Sequence, residues 1–331
     1  MKVYYPEYYH KFQCIAGACP DSCCKDWAVD VDPDAAAYYR TLPGELGDRL
    51  RQVLKENEDS AYMEIESGRC PMWREDGLCR IQAAFGHDAL CKVCREFPRL
   101  SHDYGDFREL GLELSCPEAA KFILSPELQT ICVEETSEQQ QPEYEKDIMA
   151  ILLESRAAAL AFLEDPAFSV PQALAALLFY GYEVQNQIDG GEISEPDFEQ
   201  ALLQAEKFAK EGDSSLFIDF FKGLELLTPQ WQERLSTPVC GDWTDQFRLL
   251  AKYFVMRYWL QAVSDYDLVC RVKLAVAGCL LVHILGGDTV ETAQIFSKEI
   301  ENDPDNVEAL LDGAYSSPAL TDMNLLGLLL K

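Results

Sequence analysis

Positive charge is what this chain most lacks. Its 331 residues hold 28 lysines and arginines against 57 aspartates and glutamates, a formal net charge of −29. So acidic a surface repels phosphate backbones, which excludes nucleic acid as an expected ligand. Long apolar runs are also missing. The longest, Leu274 to Leu285, is broken by Gly278 and His283 and falls short of a bilayer span, so no membrane partner is expected. The opening Met1-Lys2-Val3-Tyr4-Tyr5-Pro6-Glu7 has no apolar core bounded by small residues and does not read as a signal peptide. Histidine is sparse and scattered, at positions 10, 87, 102 and 283. Only His87, between Cys79 and Cys91, is kept as a reserve metal ligand. A strand leading into a glycine-rich turn and a helix, the mark of a Rossmann-type cofactor site, is absent as well. Its nearest approach, Leu285-Gly286-Gly287-Asp288, follows a helical pattern and reads as a helix C-cap. These absences describe a soluble, cytoplasmic protein whose thiols are reduced.

The acidity is uneven. Residues 1–120 carry 14 basic against 22 acidic side chains, and the remainder 14 against 35. Such a surface attracts a lysine-bearing protein partner, although acidity also serves solubility alone.

The fold class expected is mainly α, with an irregular, cysteine-rich N-terminal metal-binding region packed on an α-helical body. The regions are 1–130 (metal-binding), 131–143 (linker or exposed loop, within the polar, Gln-rich stretch Val133 to Tyr144) and 144–331 (helical). In the first, Asp34 to Glu56 reads as helical with a break at Pro43-Gly44, and a short helix follows Pro117. Tyr62–Glu66 and Arg108–Leu114 alternate apolar and polar residues, as short strands do. Beyond residue 143, apolar residues at three-and-four spacing predict helices over Tyr144–Leu163, Pro171–Gln187, Pro196–Lys210, Ser215–Leu227, Trp243–Ala262, Leu268–Leu285 and Asp288–Ile300, with a frayed tail ending at Lys331.

Nine cysteines stand out: Cys14, Cys19, Cys23, Cys24, Cys70, Cys79, Cys91, Cys94 and Cys116. A chain this long does not need disulfides to fold, so crowded thiols point to metal, with zinc, Cu(I) and iron–sulfur clusters all compatible with thiolate ligands. Cys91-Lys92-Val93-Cys94 is the tightest pair. Adjacent Cys23 and Cys24 point opposite ways if extended. Neither ferredoxin spacing nor the C-x3-C-x2-C of radical enzymes is present. A purely architectural zinc site and a redox or catalytic cluster both fit. Cys132, Cys240, Cys270 and Cys279, in apolar helical context, read as small buried side chains.

At these residues the sequence resembles the flagellin lysine N-methylases, which carry a cysteine-rich region described as zinc- or iron-chelating. The matching stretches are Phe12-Gln13-Cys14-Ile15, Cys19-Pro20-Asp21-Ser22-Cys23-Cys24-Lys25-Asp26-Trp27, Cys70-Pro71, Gly77-Leu78-Cys79-Arg80-Ile81, Leu90-Cys91-Lys92-Val93-Cys94-Arg95-Glu96-Phe97-Pro98-Arg99 and Leu114-Ser115-Cys116-Pro117-Glu118-Ala119-Ala120. A looser likeness continues into Lys252–Trp259. The resemblance implies methyl transfer from S-adenosylmethionine to lysine side chains of flagellin or another lysine-bearing protein. It favours a 4Fe-4S cluster over zinc on the nine cysteines, and it assigns no catalytic or cofactor-binding residue. Two further readings stay open: a non-catalytic, metal-stapled protein-interaction module, and an iron–sulfur redox protein.

A lysine methylase must deprotonate an ammonium whose reference pKa is about 10.4, for which a buried tyrosine or carboxylate would serve. Tyr4, Tyr5, Tyr8, Tyr9, Tyr253, Phe254, Tyr258 and Trp259 are the aromatics available as cation-binding walls, although helical spacing makes Tyr253–Trp259 core. Asp26 is expected to pair with Arg95 or Arg99 and brace the cysteine loops.

Overall fold

The computed structural model describes residues 1–56, 61–138 and 140–331. Its centre is a helix buried nearly all round. Every residue of α12 (Val269–Leu285) is buried except His283, as expected of a helix with no polar face. Around it pack α7 (Val170–Ile188), α11 (Gln246–Tyr258), α13 (Thr289–Phe296), α14 (Pro304–Ser316) and α15 (Asp322–Leu330). Gly278 permits the closest approach: a Cβ there would lie 2.7 Å from the Phe254 ring of α11. Local chemistry sets the helix ends. Ser169 and Gln172 form a reciprocal capping box at the start of α7, beside Pro171. Gly286, at φ +63°, ends α12 as the sequence predicts. Asp288 Oδ1 then accepts from Glu291 N–H at 2.9 Å and starts α13. After α13 the chain widens into a buried π-helical turn, Ser297–Glu301, which carries Lys298, Glu299 and Glu301 into the interior.

The expected helices appear, with α6 (Lys146–Leu163), α8 (Phe198–Phe208) and α9 (Ser214–Lys222) completing the series. Three more did not declare themselves: α10 (Pro229–Ser236), α14 and α15. The tail expected to fray is the helix α15, with Leu325 and Leu326 fully buried. Its run Leu325-Leu326-Gly327-Leu328-Leu329-Leu330 is apolar on every side, so periodicity gives no helical signal.

The N-terminal part contributes two sheets. One is four-stranded, β1 (Lys2–Pro6), β5 (Arg99–Asp103), β6 (Phe107–Leu112) and β7 (Ile131–Glu135), in the order β5-β6-β1-β7. Strands β1 and β6 run parallel, while β7 is antiparallel to β1 with Tyr4 opposite Val133. Ile131–Glu135, at the start of the stretch read as a linker, are thus an edge strand. The other sheet is three-stranded, β2 (Val29–Val31), β3 (Leu54–Glu56) and β4 (Ala61–Met63), in the order β2-β4-β3. Helices α1 (Pro33–Thr41) and α2 (Gly44–Val53) break at Pro43-Gly44 as expected, and α5 (Pro117–Ile123) follows Pro117. The short α3 (Arg80–Phe85) and α4 (Lys92–Glu96) have Cys79 and Cys91 at their N-caps, and α4 contains Cys94.

Two hydrophobic cores result. A small one gathers Val29, Val31, Tyr39, Leu50, Met63, Met72 and Ile81 with Cys70 and Cys91. The large core of the helical body also takes in Tyr8, Phe12, Leu112, Leu114, Cys116 and Ile123 from the N-terminal part. The mainly α-helical body is as the sequence predicts. The metal-binding character expected of the N-terminal region is not: among the described residues, no group of three or more His, Cys, Asp or Glu is placed to hold a metal ion.

Candidate functional site

Six of the nine cysteines belong to the two cores, and three lie outside them. Cys70 and Cys91 are buried in the small core, with Cys24, Cys79 and Cys94 packed against it. Cys116 is buried in the large core at the start of α5. Cys14 and Cys23 are exposed and Cys19 half-buried on the loops between. Cys14 Sγ accepts from Ala16 N–H at 3.4 Å, and Cys19 Sγ donates to the Asp21 carbonyl. All thirteen cysteines of the chain are free thiols.

Their chemistry is that of pairs. Hydrogen bonding between Cys23 and Cys24 lowers Cys24 to about 7 and drives Cys23 far up. Cys91 and Cys94 repeat the pattern, with Cys91 lowered to about 7 by its bond to Cys94. Burial pushes Cys70 up to about 12 and Cys116 up to about 11, and raises Cys19 and Cys79. A thiol must lose its proton to bind metal, and a closed site needs four ligands turned to one point. The 4Fe-4S cluster, and the alternative zinc, expected on Cys14, Cys19, Cys23, Cys24, Cys70, Cys79, Cys91, Cys94 and Cys116 are therefore corrected: no such ligand group exists among the described residues. His87, the reserve ligand, lies exposed in a single 3-10 turn. The exposed Cys240 also departs from the expected buried side chain.

A charged contact fastens the cysteine loop to the helical body. Lys298 Nζ donates to Asp26 at 2.8 Å and Asp21 at 3.0 Å, and lies 5.2 Å from the Trp27 ring centroid. Gln294 adds bonds to Asp21 at 3.2 Å and the Ser115 carbonyl at 2.8 Å. The predicted partners of Asp26 are occupied elsewhere. Arg95 donates to the Leu90 carbonyl, and Arg99 lies over the Tyr9 and Phe12 rings. Lys298 stands 272 residues from Asp26, and nothing in local spacing links them.

A cavity of about 330 Å³ lies between the four-stranded sheet and helices α6 and α11. Its walls are mostly apolar, including Leu100, Leu112, Ile131, Leu160 and Met256. The charged groups behind them are paired with one another. Glu301 accepts from Tyr253 at 3.0 Å and Tyr258 at 2.8 Å and faces Arg257 Nε at 3.3 Å. Arg257 Nη1 donates to the Tyr253 hydroxyl at 2.6 Å, and Arg156 Nη1 to Glu109 at 2.8 Å. Tyr253, Tyr258 and Trp259 are therefore core, as their spacing predicts. His102 Nε2 is buried in the wall with no partner among the described residues, and burial first, then Arg257, lowers its pKa. Burial likewise raises the Glu113 carboxyl, with Arg257 opposing it. With its charges internally matched, the cavity suits an apolar side chain.

Beside it, β7 presents an edge that no other described strand covers. Met1 and Thr136 exchange backbone hydrogen bonds, and Glu7 N–H donates to the Thr130 carbonyl. In an antiparallel ladder bonded residues alternate, so 130, 132, 134 and 136 face β1 while the backbone groups of Ile131, Val133 and Glu135 face outward. All three outward residues are exposed, and Glu134 beside them adds a second carboxylate. An unpaired edge of this kind is a template for an added strand. Ile131 belongs both to this edge and to the cavity wall, which joins the two features.

Known proteins can be set beside this geometry. The chain is 33% identical over 127 residues to the flagellar biosynthetic protein FliU of Salmonella muenchen, covering 36% of this chain and 75% of that protein. The chain belongs to the FliU family. It is also 33% identical over 127 residues to the lysine-N-methylase of Salmonella typhimurium, and 33% over 130 residues to that of Salmonella choleraesuis. Each of those alignments covers 36% of this chain, which spans about a third (32%) of the methylases' length. No family model and no solved structure matches the chain. The relation to the methylases is thus distant and partial. The expected identity, a flagellin lysine N-methylase with a metal-chelating domain, is corrected on two counts: the likeness serves FliU equally well, and the chelating group is absent among the described residues. Methyl transfer dependent on a cysteine-ligated iron–sulfur or zinc centre falls with that group.

Proposed function

We propose that this chain is a non-catalytic protein-interaction module of the flagellar system. Its partner is a lysine-bearing protein, flagellin first among those to test, met in the cytoplasm. An extended segment of the partner pairs with the outer edge of β7 and lays one apolar side chain against the cavity mouth at Ile131.

The observation that carries this reading is the open, acidic edge of β7 in a chain that belongs to the FliU family. Strand addition draws affinity from main-chain hydrogen bonds and specificity from alternate side chains. Lysines opposite Glu134 and Glu135 would contribute about 0.2–1 kcal/mol each as cross-strand pairs. The net charge of −29 speeds encounter with a basic segment.

The test is titration calorimetry of the full chain against purified flagellin at low and high salt. Binding that weakens as salt rises, and that is lost in a Val133→Pro chain, supports the reading. Proline at 133 removes an outward N–H that β1 does not use, so the sheet stays intact. Equal affinity of wild type and Val133→Pro would remove β7 as the docking edge. A methyl increment on flagellin incubated with the chain and S-adenosylmethionine would remove the non-catalytic reading.

A further inference from the structure

Cys240 has an environment unlike that of any other thiol in the chain. It lies on the loop between α10 and α11, exposed, with φ at +49°, a left-handed conformation that side chains with a Cβ rarely adopt. Two backbone bonds hold it there against the end of α12: Cys240 N–H donates to the Ile284 carbonyl at 2.9 Å, and Gly241 N–H to the His283 carbonyl at 2.8 Å. This places Cys240 Sγ 3.5 Å from His283 Nε2. The imidazole is fixed by stacking, since it lies parallel to the Trp243 ring at 4.0 Å and meets Phe247 edge-on at 6.0 Å. Its other nitrogen, Nδ1, is buried without a hydrogen-bond partner. Strained backbone that the surroundings hold in place gathers at functional sites, and a thiol beside an oriented imidazole is the arrangement of an activated nucleophile.

We propose that Cys240 and His283 form a reactive thiol–imidazole pair, a modification site that takes low-molecular-weight disulfides. In the step, the Sγ proton passes to His283 Nε2 and the thiolate attacks one sulfur of the incoming disulfide. A bond forms between Cys240 Sγ and that sulfur as the incoming S–S bond breaks. The departing thiolate takes the proton from Nε2, which restores the neutral ring. Electrons balance without a further reagent: the protein thiol is oxidised to the mixed disulfide and the second half of the incoming disulfide is reduced to a thiol. Burial favours the neutral imidazole that this step needs, against the opposing charge of Asp242. The site is separate from the docking edge and does not depend on it.

The experiment exposes the full, reduced chain to limiting oxidised glutathione, quenches with acid and maps the adducts by peptide mass spectrometry. Cys14 is an internal control, since it too is exposed and its Sγ accepts from the Ala16 amide, with no histidine bonded to it among the described residues. Glutathione is expected on Cys240 about tenfold faster than on Cys14. A His283→Gln chain is expected to slow Cys240 by about the same factor while leaving Cys14 unchanged. Cys240 reacting no faster than Cys14 in the wild-type chain overturns the proposal, whether or not the variant folds. An unchanged Cys240 rate in a folded His283→Gln chain overturns it as well.

Discussion

Lys298 Nζ lies 2.8 Å from Asp26 Oδ2, a bond from the buried π-helical turn of the body to the loop that follows Cys23 and Cys24. The lysine is buried, whereas Asp26 and Asp21 are partly in water. Lys298→Met is therefore expected to cost about 2 kcal/mol, less than a fully buried pair would. Urea unfolding followed by circular dichroism measures it, with a lower midpoint at unchanged slope.

The same contact predicts a pH dependence. Burial acts to raise the Asp21 carboxyl, but Lys298 and Lys25 outweigh it and hold the group below the usual range. A depressed folded pKa stabilises above the unfolded value, about 3.9, and that stability is lost as pH falls through the folded value. Wild type should lose more stability between neutral pH and pH 3 than Lys298→Met does. Parallel losses in the two proteins would show that Asp21 is not held by Lys298.

Glu301 is the hub beneath the cavity, bonded to Tyr253, Tyr258 and Arg257. Glu301→Gln takes the paired carboxylate from the largely buried Arg257, at a cost of about 3–5 kcal/mol. For a chain of 331 residues, at about 2.1 cal/mol/K of unfolding entropy per residue, that is a fall in Tm of roughly 4–7 °C, readable by calorimetry. A shift within error would mean that Arg257 finds another anion.

The thiols carry a prediction of their own. Because no ligand group is present among the described residues, a chelator such as EDTA should leave Tm and the far-ultraviolet spectrum unchanged. A drop in Tm on chelation, reversed by added zinc or ferrous iron, would contradict this.

The helical body was legible because amphipathic helices such as α8 and α9 repeat apolar residues every three or four positions. Where the stripe disappears, the signal does too. The buried α15 shows no helical stripe in the sequence because it is apolar on every side. The β7 strand hid in a polar stretch because an exposed edge needs little apolar surface. The nine cysteines were conspicuous by position, but spacing along the chain does not fix direction in space. It picks out Cys91 and Cys94 as the tightest pair, but shows neither which six of the nine join the two cores nor the mutual effect of Cys23 and Cys24. Long-range partners were out of reach for the same reason: Lys298 and Asp26, like Cys240 and His283, meet only once the body has folded.

Docking of the partner segment rests on the outward edge of β7. Amide hydrogen exchange, resolved to single residues in the full chain with and without flagellin, tests it most directly. The N–H groups of Ile131, Val133 and Glu135 should exchange freely in the chain alone and slow when flagellin is added, while those of Cys132 and Glu134, already bonded to β1, change little. Binding of flagellin with no added protection at Ile131, Val133 and Glu135 would contradict the account.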